Sequence, residues 1–130
     1  IKNVIMVESD KKKAVFLNEA SRVCDINTTI ISDRIEQIPK LNIGTITSRA
    51  FATIEKTMFL LEKQIEIGTE IVLLKGKNVN KEIVDFEKNW CNKSRKKTIQ
   101  IMPVFKKYKS ITDEESFVIK YSYINKENKQ

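Results

Sequence analysis

VIMVESDKKKAVFLNEASRVCDINTTIIS, residues 4–32, decides the fold class. Val4–Val7 is a short continuous apolar run, the pattern of a parallel strand buried on both faces. Glu8-Ser9-Asp10 turns the chain, and Ser9 or Asp10 is placed to cap a helix. From Lys11 to Cys24 the apolar residues Phe16, Leu17, Ala20, Val23 and Cys24 recur at helical spacing on one face. Thr28–Ser32 is rich in β-branched residues and predicts a second strand. Strand, helix, strand in this order points to an α/β protein with a parallel sheet.

The alternation continues outward. A helical turn around Ile35–Ile38 ends before Pro39. Ile43–Thr47 reads as a strand, and Phe51, Ile54, Met58, Leu61 and Ile65 predict a helix stopped by Gly68. Glu70–Lys75 (EIVLLK) is another buried strand. Val79, Ile83, Phe86 and Trp90 then form the apolar stripe of a helix capped by Asn78, which reads Trp90 as a core residue, against the alternative of a base-stacking platform. The ending differs: Thr98–Val104 and Phe117–Ile124 are strand candidates separated only by the polar stretch Lys106–Ser116. Two strands without a crossover helix pair antiparallel. The expectation is a mostly parallel sheet with a reversed strand near the C-terminus, over residues 1–124, followed by a polar tail at 125–130.

Composition narrows the function. Apolar residues make up 41% of the 130, enough for one hydrophobic core, and the chain carries a formal net charge of +7. That excess favours an anionic partner. Residues 66–130 hold 14 basic against 9 acidic groups, so the excess lies mainly in the second half. The longest apolar runs, such as Met58–Leu61 and Ile71–Leu74, fall far short of a membrane span of about 20 residues, and no secretory signal is visible. Two cysteines, Cys24 and Cys91, make neither a disulfide scaffold nor a cysteine metal cage and suggest a reducing cytosol. The absence of histidine excludes imidazole bases, Ser-His-Asp and Cys-His nucleophile systems and most zinc sites. No metal site and no catalytic side chain is assigned.

Ligands of doubly wound sheets bind at the carboxyl ends of the parallel strands. Three such ends carry polar groups here. Glu8 follows Val4–Val7 and could accept the vicinal hydroxyls of a ribose, or be a solvated loop acid. Asp33-Arg34-Ile35-Glu36 follows Thr28–Ser32 and could hold an adenine edge through backbone groups, or be a surface turn. Arg49, in Thr47-Ser48-Arg49-Ala50, is either a structural ion-pair partner or a clamp on a carboxylate or phosphate.

VESDKKKAVFL (Val7–Leu17), SDRIEQI (Ser32–Ile38), ITSRAFATIE (Ile46–Glu55) and VLLKG (Val72–Gly76) occur in this order. Together they resemble the ribosomal RNA small subunit methyltransferase G family, also called glucose-inhibited division protein B, over about Ile1 to Ile124. SRAFA is the most specific piece. The resemblance implies a Rossmann-like class I S-adenosylmethionine-dependent methyltransferase fold with a reversed seventh strand. It also implies methyl transfer from S-adenosylmethionine to N7 of a guanine in 16S rRNA, in the cytoplasm, on the small ribosomal subunit, with neither DNA nor a membrane as partner. It assigns the ribose hydroxyls of the cofactor to Glu8, the adenine to Ile35 and Glu36, and a cofactor-site role to Arg49. Lys12 and Lys13 match a basic pair in the family's helix, with solvated helix charges as the plainer reading. Lys75-Gly76 matches the family's LKG, with Lys75 open to an RNA-facing role.

Family members begin with a helical region, a first strand and a glycine-rich loop for the methionine end of the cofactor, and residues 1–130 contain no counterpart. The expectation is a C-terminal portion of one methyltransferase domain, a partial fold from its second strand onward. It should be inactive by itself, and the edges of its second and fourth strands should lack their usual neighbour.

Guanine N7 carries an in-plane lone pair and needs no general base to attack a sulfonium methyl, so a histidine-free chain suits the reaction. Lys88 to Thr112 holds eight basic residues and no acid. Lys96, Lys97, Lys106 and Lys107 are its candidate RNA contacts, against the alternative of ordinary solvated surface. The competing reading of the whole chain is a non-catalytic basic α/β module that binds RNA or ribosomes, or a decayed remnant of the enzyme.

Overall fold

The computed structural model describes residues 3–49, 52–93, 101–111 and 115–125. They form two compact units, divided after Pro39.

The first unit is a β-α-β motif. Strand β1 (Val4–Val7) pairs in parallel with β2 (Thr28–Ile31), in the register Val4↔Thr28 to Val7↔Ile31. Between them runs helix α1 (Lys11–Val23), capped by Asp10, whose carboxylate accepts the amides of Lys12 and Lys13. The expected apolar stripe is only partly used. Leu17 and Ala20 are half-buried and Phe16 and Val23 are 70% and 68% exposed, while the buried residue of the helix, Ala14, lies outside that stripe. A two-stranded sheet offers too narrow a surface to cover the whole apolar face of a helix this long. A 3-10 turn, Ile35–Gln37, follows β2.

The second unit is a four-stranded sheet in the order β3-β4-β6-β5. Strand β3 (Thr45–Arg49) runs parallel to β4 (Glu70–Lys75), and β6 (Phe117–Asn125) is antiparallel to both β4 and β5 (Ile101–Lys109). The reversed strand is therefore β6, inserted between two strands of common direction. Among the described residues β1 pairs with β2 alone and β3 with β4 alone, so each has one edge without a strand partner.

Helix α2 (Ile54–Leu60) begins at the Thr53 cap, and α3 (Val79–Lys93) follows β4. Both cover the same sheet face. Phe86 of α3 meets Tyr121 of β6 edge-on, centroids 5.1 Å apart, and the Tyr123 hydroxyl of β6 lies 3.9 Å from the Met58 sulfur of α2. Ile71 and Leu73 of β4 stand opposite Tyr121 and Ile119 and complete this core with Ile54, Val79 and Ile83. Burial raises the Tyr121 and Tyr123 phenols well above the ordinary tyrosine range.

Three boundaries differ from the sequence expectation. Strand β3 lies two residues further along than Ile43–Thr47, because its ladder with β4 runs from Thr45↔Glu70 to Arg49↔Leu74. The helix expected to run on to Gly68 stops at Leu60 and tightens into a 3-10 turn, Glu62–Gln64, where the buried Gln64 side chain accepts the Leu41 amide at 2.7 Å. Gly68 instead occupies a turn with φ of +93°, a conformation that suits glycine. Strand β5 extends through Lys109 into residues expected to be loop, paired with β6 down to Lys109↔Phe117. Its lysines mark it as a sheet edge, where charge deters pairing with another chain. Residues 98–100 of that strand candidate, the tail 126–130 and the Trp90 side chain lie outside the described residues.

Candidate functional site

In each unit the parallel strands bring their carboxyl ends to one side, and the polar residues singled out above gather there. In the first unit Glu8 directly follows β1, its amide bonded to the Ile31 carbonyl of β2 at 3.0 Å. Its half-buried carboxylate is oriented by the turn: Oε2 accepts the Asp10 amide at 3.0 Å. Oε1 carries no protein hydrogen bond among the described residues, so an acceptor remains for a ligand hydroxyl. Ile35 and Glu36 open the 3-10 turn after β2, half-buried, at the same end of the strand pair as Glu8. The Glu36 carboxylate lies 4.0 Å from the Arg34 guanidinium, a loose surface pair. Lys12 and Lys13 are exposed on α1.

In the second unit Arg49 is the last residue of β3 rather than a loop residue, and it is exposed. It stands opposite Leu74. Since Leu73 faces the helices, Arg49 and Leu74 project from the other sheet face. Ala50 and Phe51 of SRAFA lie outside the described residues. Lys75, the last residue of β4, has a side chain only 12% exposed and directed to α3, not to solvent as an RNA-facing role would require.

The basic stretch divides. Lys96 and Lys97 lie outside the described residues. Lys106 and Lys107 are consecutive in β5 and so belong to opposite sheet faces. Lys107 donates to Asn80 Oδ1 of α3 at 2.7 Å, and its ammonium lies 5.4 Å from the Phe117 ring centroid. Lys106 stands opposite Lys120, itself paired with Glu70 at 3.1 Å, on the same face as Arg49. Among the described residues no cluster of acids and cysteines could hold a metal ion, and no helix is long and apolar enough to cross a membrane.

The family model of rRNA small subunit methyltransferase G (GidB) matches residues 1–112. The ribosomal RNA small subunit methyltransferase G of Rickettsia rickettsii (strain Sheila Smith) is 36% identical over 90 residues, covering 69% of this chain and 46% of the relative. That of Paramagnetospirillum magneticum is 34% identical over 88 residues, covering 68% and 43%. The chain thus spans about half the length of the curated relatives it matches. Among solved structures, M. jannaschii TYW2 in complex with AdoMet superposes with a TM-score of 0.67 at 10% identity, over 95% of this chain and 58% of that one. An rRNA methylase from Streptococcus thermophilus gives 0.60 at 10% identity, over 95% and 75%. At such identities the likeness speaks for the fold alone, and the fold is that of class I S-adenosylmethionine-dependent methyltransferases. With a family model matched over most of its length and relatives above 30% identity, the chain belongs to the rRNA small subunit methyltransferase G family.

Proposed function

We propose that this chain is the C-terminal portion, from the second strand onward, of a cytoplasmic enzyme that methylates N7 of a guanine in 16S rRNA within the small ribosomal subunit. In this reading it carries the ribose and adenine side of the S-adenosylmethionine site. The observation that carries the proposal is the placement of Glu8 and Arg49, each at the carboxyl end of a parallel strand, within the residues 1–112 that match the family. Glu8 takes the ribose hydroxyls, Ile35 and Glu36 flank the adenine chiefly through backbone groups, and Arg49 is a cofactor-side cation. S-adenosylmethionine supplies an electrophilic methyl on a sulfonium; guanine N7 supplies the lone pair. The protein's work is alignment and exclusion of water.

Arg49→Ala in the full-length protein tests this. Because Arg49 is exposed and outside the core, the variant should fold normally and bind S-adenosylmethionine about 10-fold or more weakly, the worth of a charge-assisted hydrogen bond. Calorimetric titration showing wild-type affinity would remove Arg49 from the site.

The RNA side makes a separate prediction. Lys106→Glu should weaken binding to small-subunit RNA and make the slope of log affinity against log salt shallower by about 1 unit, as the lost phosphate contact releases fewer counterions. Lys107→Glu should instead act on stability, because its ammonium is engaged by Asn80 and Phe117. Equal salt slopes for wild type and Lys106→Glu would make Lys106 ordinary surface.

A further inference from the structure

Two charged side chains with no assigned role hold the backbone on either side of Thr53. The Lys75 ammonium lies 2.8 Å from Glu82 Oε1, and the two side chains are 12% and 15% exposed. The same ammonium donates to the Ala52 carbonyl at 2.7 Å, and the same Glu82 oxygen accepts the Ile54 amide at 3.0 Å. The pair thus grips both sides of Thr53, the cap of α2, from two other elements, β4 and α3. A nearly buried ion pair is weak evidence for stability, since desolvating both charges offsets much of their attraction. What distinguishes this one is that each partner also bonds the backbone immediately after SRAF. Arg49 lies three residues before Ala52, at the end of the same connection.

We infer that Lys75 and Glu82 are positioning residues that fix the backbone at Ala52 and Ile54, three and five residues after Arg49, and that this hold sets the placement of Arg49 toward the cofactor. The inference rests on the reading of Arg49 given above. It gives the LKG lysine a task inside the protein, where the carbonyl of Ala52 and the carboxylate of Glu82 are its ligands. It also explains why an acid stands in the first turn of α3: Glu82 serves the amide of another helix.

The test uses the full-length protein, with S-adenosylmethionine affinity by calorimetry and thermal midpoint as paired readouts. Lys75→Met and Glu82→Gln each remove one charge; the swap Lys75→Glu with Glu82→Lys restores an ion pair. In the swap, however, residue 75 can no longer donate to Ala52 and residue 82 can no longer accept from Ile54. The expected result is that the swap is more stable than Lys75→Met while its affinity stays about 10- to 100-fold below wild type. Recovery of affinity together with stability would show that the ion pair alone matters and would overturn the inference. Glu82→Gln is the converse arm, and it decides if Lys75→Met or the swap does not fold: it keeps an oxygen for Ile54 and leaves Lys75 its bond to Ala52, so it should bind within a few-fold of wild type, and a loss of about 10-fold or more would show that the ion pair itself matters and would overturn the inference. Arg49→Ala measured alongside separates the two readings. Weak binding by Arg49→Ala with wild-type binding by Lys75→Met and by the swap defeats only the inference. Wild-type binding by Arg49→Ala defeats the reading of Arg49 and the inference with it.

Discussion

Phe86→Ala should lower the unfolding free energy of the protein by about 3–5 kcal/mol, the usual cost of emptying a buried aromatic position. Phe86 is 1% exposed and packs edge-on against Tyr121 at an interplanar angle of 75°. The truncation leaves a cavity and also forfeits the aromatic pair, which contributes about 0.5–1.5 kcal/mol beyond its area. The position joins α3 to the reversed strand β6, so the void would open at the centre of the second unit, where neighbouring strands leave little room to collapse. Urea unfolding should show a lower midpoint with an unchanged slope. A loss under about 1 kcal/mol would mean that α3 can close over the gap and that the Phe86–Tyr121 contact is not central.

That contact was half legible in advance. Val79, Ile83 and Phe86 recur at helical spacing, and the helix they predict is observed with all three buried. Strands with continuous apolar runs were equally readable: Val4–Val7 and Glu70–Lys75 occur at the boundaries that their composition suggests. Where charge and strand coincide, reading fails. Lys106 to Lys109 look like loop because an edge strand needs no apolar alternation on its open side, and only the pairing with Phe117–Lys120 reveals it. Likewise Ile65 continues the helical phase of Ile54, Met58 and Leu61, but a tertiary bond from Leu41 to Gln64 accompanies the tightening of the chain before it. For the site, the strand-end positions of Glu8 and Arg49 followed from alternation of elements and from the family's motifs. The Lys75–Glu82 pair did not. Its members come from different elements and act on the backbone of a third, and an acid in a first helical turn is the only local hint of Glu82.

Glu8→Ala should abolish most cofactor affinity while leaving the fold intact. If the carboxylate accepts both ribose hydroxyls, two charge-assisted hydrogen bonds are lost, each worth about 1.5–3 kcal/mol, so affinity for S-adenosylmethionine should fall about 100-fold or more. The local structure isolates the effect. Helix α1 is capped by Asp10, which bonds the Lys12 and Lys13 amides by itself, so removing Glu8 sacrifices only the Asp10 amide bond in an exposed turn. Asp10→Ala is the converse control: it should cost about 1 kcal/mol of stability through the lost cap and leave affinity nearly unchanged. A cofactor analogue lacking one ribose hydroxyl then tests the contact directly. Wild type should bind the analogue more weakly than the parent cofactor, whereas Glu8→Ala should bind the two alike, a coupling expected only of groups that touch. Equal losses on removing the hydroxyl in both proteins would place Glu8 away from the ribose and return it to the role of a turn acid.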